Sequence, residues 1–387
     1  MSLTTQNNLN KSQSALATAM QRLSSGLRIN SSADDAAGFA ISTRMTTQIN
    51  GLDTAARNAN DAVSLSQTAS AALQQITDNL QAIRQLSVQS ANATNSSSDR
   101  AALDQEVQQR LAEITRVAQQ TTFNGRHILD GSFGTAAFQV GANVGDTISI
   151  DLSKGTAASN LGSVATSTID LSGTTGTDGT FTAGPVVLDS TNNFSINGKT
   201  IQGSFANMQA LADGINAAGA QGVSAYTDGQ KLVIQSNGTA SDGTAGDGDS
   251  FLVAVTGTMP AGAVAITAGT VKASDTTSSL ADTGSGSAMS VATVASANDA
   301  INRVDAALAS VSSIDSTLGA MQNRFTSAIT SAQAVSQNLS ASRSRIQDTD
   351  FAAETAAMSQ ASILQQAGIS MLAQANAQPQ LVLKLLQ

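Results

Sequence analysis

The chain has no cysteine and no tryptophan, and only one histidine, one tyrosine and three prolines among its 387 residues. Without cysteine there is no disulfide framework, no thiolate metal site and no thiol nucleophile. A single histidine leaves acid–base and metal-binding sets without their commonest member. Aromatic residues make up 3% of the chain, so burial must come from many small contacts between Ala, Leu, Ile and Val. That suits long helices packed side by side better than a core arranged around a pocket. No apolar run reaches the length of about eighteen residues that a spanning helix needs, so no membrane insertion is expected. The segment from Met1 to Gln21 lacks a basic stretch followed by an apolar one, so it does not read as a secretory signal peptide. Such a chain stays in the cytoplasm unless it leaves by a route that cleaves no signal.

What is present is unevenly spread. Of the 31 glycines, 21 lie within 151–296, and Pro185 and Pro260 are there too. The same stretch holds four Lys, no Arg and eleven Asp, so −7 of the formal charge of −9 sits in the middle. Near-neutral ends and an acidic centre suggest ends that associate and a centre that faces water. No basic patch stands out, so no nucleic-acid partner is expected.

The ends read as long helices. Leu9, Leu16, Met20, Leu23 and Leu27 recur at helical spacing. Ser31 or Ser32, with Asp34 and Asp35 following, predicts a cap for the next helix. That helix carries Met45, Ile49, Leu52, Ala56, Ala59 and Val63, then Leu73, Ile76, Leu80 and Ile83, in the three–four steps of a coiled-coil seam. Ser98 or Asp99 is the expected cap of a third helix, whose seam is Leu103, Val107, Leu111, Ile114 and Ala118. Asn124-Gly125 and Asp130-Gly131 are turn dipeptides, and Phe138–Val140 and Ile148–Leu152 alternate as strands. In the centre, Phe194–Gly198 reads as strand and turn, Met208, Leu211 and Ile215 as a short helix, and Val223–Ile234 as a hairpin about Asp228-Gly229. Helix resumes at Ala297 with Val304, Val311, Leu318, Phe325, Ala332, Val335 and Leu339. After a joint at Asp348–Asp350, a last helix carries Met358, Ala361, Ile363, Leu364, Met371 and Leu372 before an apolar tail, Leu381–Leu386.

The fold class that follows is α+β: a long antiparallel, coiled-coil-like bundle built from both termini, with a β-hairpin region and a central β-rich inserted domain. Three divisions are expected: 1–32 with 347–387, 33–154 with 297–346, and 155–296. Nothing else in the chain is obviously assigned to cover the apolar faces of the outermost segments. Leu9, Leu16, Met20, Leu23, Leu27, Met358, Ile363, Leu364, Met371 and Leu372 are therefore the candidate surface through which copies associate.

Those segments also carry motifs. Gln6–Ser12, Gln21–Asn30, Asp34–Gly38, Asn58–Asp61, Gln89–Asn92 and Thr122–Gly125 resemble the N-terminal signature of the flagellins. Gly319–Phe325, Ser342–Ala352 and Gln378-Pro379 are similar to that family's C-terminal signature, in collinear order. The segment Phe194–Gly198 resembles a small repeat in the family's variable domains. The resemblance implies a homopolymeric, extracellular filament with paired terminal helices inside and the variable insert facing the medium. It implies export by the flagellar type III apparatus, a chaperone on the C-terminal segment, and cap and hook-junction proteins as neighbours. The family usually carries a longer arm before the motif that Met1-Ser2-Leu3 enters directly, which leaves three readings open: a looser inner tube, loss of part of the export signal, or a trimmed start. Arg84, Leu86 and Glu106 match the region by which the vertebrate innate receptor senses flagellins, but Ala82 stands where sensed members carry Arg, so weakened sensing is expected.

Competing chemistry reads poorly. His127 has no Cys to assist it and only Asp130 near it in sequence, and reads as a turn residue. Asp34-Asp35 fits a cap better than an acid–base or metal pair. Asp242, Asp247 and Asp249 lack the spacing and terminal Glu of a calcium loop, and Gly243–Gly248 has no Lys after it to hold phosphate. No catalytic set and no cofactor are expected. Two other functions stay open: a hook–filament junction protein, which shares both terminal motifs, and a surface adhesin acting through the insert.

Overall fold

The fold comes from a computed structural model that describes residues 2–162, 164, 166–170, 186–188, 193–196, 199–220, 222–229, 231–236, 251–256, 269–273 and 289–385. In chain order the elements are α1 (Ser2–Ser25), α2 (Ala36–Ala91), α3 (Ser97–Gln120), β1 (Thr122–Phe123), β2 (Arg126–His127), β3 (Gly134–Gln139), β4 (Thr147–Leu152), β5 (Thr166–Asp170), β6 (Val186–Leu188), β7 (Asn193–Ile196), β8 (Lys199–Ile201), β9 (Gly203–Phe205), α4 (Met208–Ala217), β10 (Val223–Asp228), β11 (Lys231–Ser236), β12 (Phe251–Thr256), β13 (Gly269–Ala273), α5 (Val294–Gln347) and α6 (Phe351–Leu385). The expected α+β class is what forms: long helices at both ends of the chain and a β-rich centre with one helix. Contacts divide the chain into two compact units.

The first unit comprises 1–60, 139–148 and 325–387. Helices α1 and α6 pair along their lengths, with Leu9 against Gly368 and Arg22 3.9 Å from Glu354, which makes them antiparallel. Both helices end at one joint. Gly26, at φ +72°, terminates α1 with its N–H on the Arg22 carbonyl, a conformation that favours glycine. The following residues then pair with the segment before α6. The Arg28 N–H donates to the Gln347 carbonyl at 2.7 Å, Thr349 N–H donates to the Gly26 carbonyl at 3.0 Å, and the Arg28 guanidinium holds the Ile346 carbonyl at 2.7 Å. Elsewhere in this unit Ser336 donates to Asp53 and Arg343 to Thr46, which joins α5 to α2 in antiparallel register.

The second unit comprises 61–138 and 149–324. Its helical core buries Leu65, Leu73, Ile76, Leu80 and Ile83 from α2, Val107, Leu111 and Ile114 from α3, and Val304, Val311 and Leu318 from α5. The chain re-enters at Met289–Val291 through polar clamps: Gln108 donates to the Met289 carbonyl at 2.7 Å, and Asp104 accepts the Val291 N–H at 2.7 Å. Five sheets form among the described residues, all with antiparallel pairing where a register is given: β1–β2, β3–β4, β6–β9, β10–β11–β5 and β13–β12–β7–β8. A cluster of Leu188, Ile196, Ile201, Phe205, Met208, Leu211, Ile215, Leu232 and Ile234 forms the core under α4.

Several expectations change at the joints. Helix α2 starts at Ala36, so its cap is Asp35, whose carboxylate accepts the Ala37 and Gly38 N–H groups at 3.0 Å, and not Ser31 or Ser32. Asp34 instead closes the preceding turn by accepting the Asn30 and Ser31 N–H groups, which holds its carboxyl below the usual carboxylate range. Helix α3 starts at Ser97, so Ser96 is its cap and Asp99 completes a reciprocal capping box, in place of Ser98 or Asp99 as cap. Val335 faces outward at 45% exposure because the seam passes through Ala332 and Ser336. The tail expected after α6 continues the helix as far as Leu385, and Leu386 lies outside the described residues. The turn at Asn197-Gly198 also lies outside them.

Candidate assembly surface

The α1–α6 pair is amphipathic twice over. Leu9, Ser12, Leu16, Ala19 and Leu23 repeat at steps of three and four along α1, and all are at least half-buried. Glu354, Met358, Ala361, Gln365, Gly368 and Leu372 do the same along α6. Together they make an antiparallel, coiled-coil-like seam within one chain. Small residues at Ala19, Ala361 and Gly368 let the backbones approach closely. A Cβ at Gly368 would stand 3.3 Å from Leu9 Cδ1.

The seam leaves other apolar side chains outside. Met20 is 52% exposed, Ile363 66%, Leu364 52% and Met371 60%, with Leu3, Phe351 and Ile369 also exposed. Of the ten residues expected to associate, Leu9, Leu16, Leu23, Met358 and Leu372 lie half-buried along the helix pair, and Leu27 sits half-buried at the joint. Met20, Ile363, Leu364 and Met371 project away from the seam. Sequence reading missed Ala19 and Gly368 as seam residues and Phe351 and Ile369 as outward ones. The three–four spacing through Ser12 was the signal that would have found the seam. A polar residue at one seam position disguised it.

Arg84 Nε and Nη2 donate to the two Asp305 oxygens at 2.7 and 3.3 Å, and that hydrogen-bonded carboxylate raises the Arg84 pKa further. Glu106 accepts from Arg110 at 2.8 Å on α3, and Leu86 is half-buried. His127 is exposed on β2, where a turn was expected, and Asn124-Gly125 makes the turn with φ of +49° and +76°. A cleft of about 630 Å³ is lined by Asp130, Lys154, Asn160 and Ser310 among others, and His127 is not one of them. Its Asp130 carboxylate accepts Ser132 Oγ at 2.6 Å and the Ser132 N–H at 2.9 Å, which lowers its pKa and leaves it an ordinary turn carboxylate. Among the described residues no group of three or more His, Asp or Glu could hold a metal ion, and no helix is long and apolar enough to cross a membrane. Asp242, Asp247, Asp249 and Gly243–Gly248 lie outside the described residues.

Two profiles match the helical ends described above: the bacterial flagellin N-terminal helical region over residues 1–134 and the bacterial flagellin C-terminal helical region over 301–386. The chain belongs to the bacterial flagellin family. Over its whole length it is 45% identical to a flagellin of Serratia marcescens, covering 97% of that protein. It is 38% identical to the B-type flagellin of Pseudomonas aeruginosa and 37% identical to a flagellin of Salmonella typhimurium, again over the whole chain and 98% of each relative. As a flagellin-family member the chain is a structural subunit that polymerises into the flagellar filament, and its family is one of structural proteins.

Proposed function

We propose that the filament is held by the outward apolar side chains of the α1–α6 pair, and that these are buried against other copies of the chain. The observation that carries the reading is that the pair already satisfies its own seam and still exposes Met20, Ile363, Leu364, Ile369 and Met371. The inward set of Leu9, Leu16, Leu23, Met358 and Leu372 then pre-forms the pair, and the outward set supplies the contact between copies. Several large apolar side chains left exposed together on one helix pair mark an association surface. The division of labour we assign is 1–32 with 347–387 as filament core, 33–154 with 297–346 as the surrounding helical layer, and 155–296 as the part facing the medium. The function is structural, with no catalysis.

The filament lies outside the cell on this reading. The subunit leaves through the flagellar export apparatus with a chaperone on its C-terminal segment, and meets cap and hook-junction proteins at the filament's ends. Support for these partners is the family membership. Arg84, Leu86 and Glu106 are the residues we assign to contact with an innate receptor, and Arg84 would have to share or surrender Asp305 to make it. The test of the assembly surface is electron microscopy of full-length chain mixed with short filament seeds. Seeds should elongate with the parent chain and stay short with Met371→Glu, whose monomer keeps its helical circular dichroism. Elongation by Met371→Glu at the parent rate sinks the proposal.

A further inference from the structure

Among the described residues, the three-stranded sheet β10–β11–β5 has β10 at one edge. An edge strand offers unpaired N–H and C=O groups to any other strand that approaches. The register identifies which groups face outward. Asp228 and Lys231 pair across the two-residue turn, and Ala225 lies opposite Ile234. Pairs alternate along an antiparallel ladder between those that exchange hydrogen bonds and those that do not. Counting back from the turn, Val223, Ala225 and Thr227 direct their backbone groups away from β11.

Two of those outward positions, Ala225 and Val223, are met from within the chain. Asn216, in the last turn of α4, accepts the Ala225 N–H on Oδ1 at 2.7 Å and donates from Nδ2 to the Ala225 carbonyl at 2.8 Å. One primary amide thus reproduces both hydrogen bonds that a neighbouring strand would make there. Next along the edge, the Val223 N–H donates to the Ala220 carbonyl at 3.2 Å. At the other side, Thr227 Oγ1 donates to Gln209 Oε1 at 3.0 Å, so α4 again lies along the strand. Asn is a weak helix former compared with Ala or Leu, so its helical setting does not account for it. A leucine there could fill space but could not pair with the edge.

We propose that Asn216 is a strand-mimicking cap that closes the β10 edge and prevents the β-rich insert from adding a strand of a second copy. The chemistry selects that occupant. Val-Ser-Ala-Tyr-Thr-Asp along β10 is rich in strand-forming residues, and only its terminal Asp228 carries a charge. A polymer places many copies of one sequence side by side at very high local concentration, where an open edge of this composition would pair with its own copy. With the edge closed, copies meet through their helical surfaces and the inserts stay separate. The inference rests on the filament reading only for the crowding; the cap itself is visible within one chain.

The test uses full-length chain in unseeded monomer solution. Hydrogen exchange at the Ala225 amide, a cross-β-sensitive dye and electron microscopy are read together on the parent, Asn216→Leu and Asn216→Asp. Asn216→Leu should speed Ala225 exchange by about tenfold, the loss expected for one net hydrogen bond to a buried amide. It should also yield dye-binding assemblies that do not elongate filament seeds. Asn216→Asp keeps an acceptor for the Ala225 N–H and removes the donor, so its exchange should rise less. If Asn216→Leu unfolds the insert, the Asn216→Asp chain decides the point alone, by binding dye where the parent does not. Unchanged Ala225 exchange in both variants, or faster exchange with both remaining free of dye-binding assemblies, overturns the proposal. Failure of the parent to elongate seeds would instead count against the filament surface and leave the cap standing.

Discussion

Replacing Leu364 by glutamate separates the two roles of α6. In the monomer this side chain is 52% exposed, so the substitution should cost within about 0.5 kcal/mol of folding stability, as for other surface changes. In the filament the exposed half of the side chain is to be buried. Full burial of a leucine stabilises by roughly 1.5–3 kcal/mol, so about 1 kcal/mol is available at this position. Leu364→Ala forfeits about that much and should raise the critical concentration for polymerisation roughly fivefold, since 1.4 kcal/mol corresponds to about tenfold. Leu364→Glu adds the cost of burying an unpaired carboxylate, on the order of several kcal/mol, and should move the critical concentration beyond about a thousandfold, which is no filament at any practical concentration. Sedimentation of seeded chain over a concentration series gives the critical concentration, and circular dichroism of the supernatant verifies the folded monomer. An unchanged critical concentration for Leu364→Glu with a normal monomer spectrum would refute the reasoning. Loss of helical signal would instead place Leu364 inside the fold, contrary to its exposure.

Other perturbations test the parts of the fold that hold this surface in place. Phe325 is fully buried, and Phe325→Ala should lower unfolding stability in urea by about 3–5 kcal/mol, through lost transfer energy and a cavity. A Cβ on Gly155 would stand 2.8 Å from the Asp130 carbonyl oxygen, whereas one on Gly319 would meet nothing within 4 Å. Gly155→Ala should therefore lower the melting temperature, and Gly319→Ala, in a helix interior, should raise it by the equivalent of about 0.5–1 kcal/mol. Asp99 accepts the Ser96 hydroxyl at 2.7 Å and the Ser96 N–H at 3.0 Å, and these bonds hold its carboxyl below the usual range. A depressed folded value contributes stability that is present above the unfolded carboxylate range, near about pH 4, and is lost as pH falls through the folded value. Protection of the amides at the start of α3, taken relative to the intrinsic exchange rate at each pH, should accordingly fall on acidification in the parent and lose that acid-side dependence in Asp99→Asn. Identical pH profiles would contradict the capping box.

Much of the fold was legible because periodicity is a local property. The repeats through Leu73, Ile76, Leu80 and Ile83 and through Val107, Leu111 and Ile114 fix helices with one buried stripe, and the structure buries those residues. Asn124-Gly125 and Gly229 fix hairpins because their backbones accept positive φ, at +49°, +76° and +60°, whereas Asp228 ends its strand opposite Lys231. The collinear motifs at the two ends determined the family, since they need only order and identity.

Direction was not legible. Leu16 and Met20 lie one helical turn apart, one half-buried and the other exposed, because which of two adjoining stripes faces inward depends on the partner helix and its register. The register of α1 on α6 is set by the joint at Gly26–Arg28 and Ile346–Thr349, which brings together residues more than 300 positions apart. Cap residues moved by a few positions for a related reason: a helix begins where tertiary packing first holds its turn, and Ser31 and Asp35 are both chemically able to cap. Asn216 carried no sequence signal at all. Its amide becomes a strand edge only when α4 lies along β10, so composition, spacing and motif settled what this chain is, and packing alone decided which of its surfaces are open.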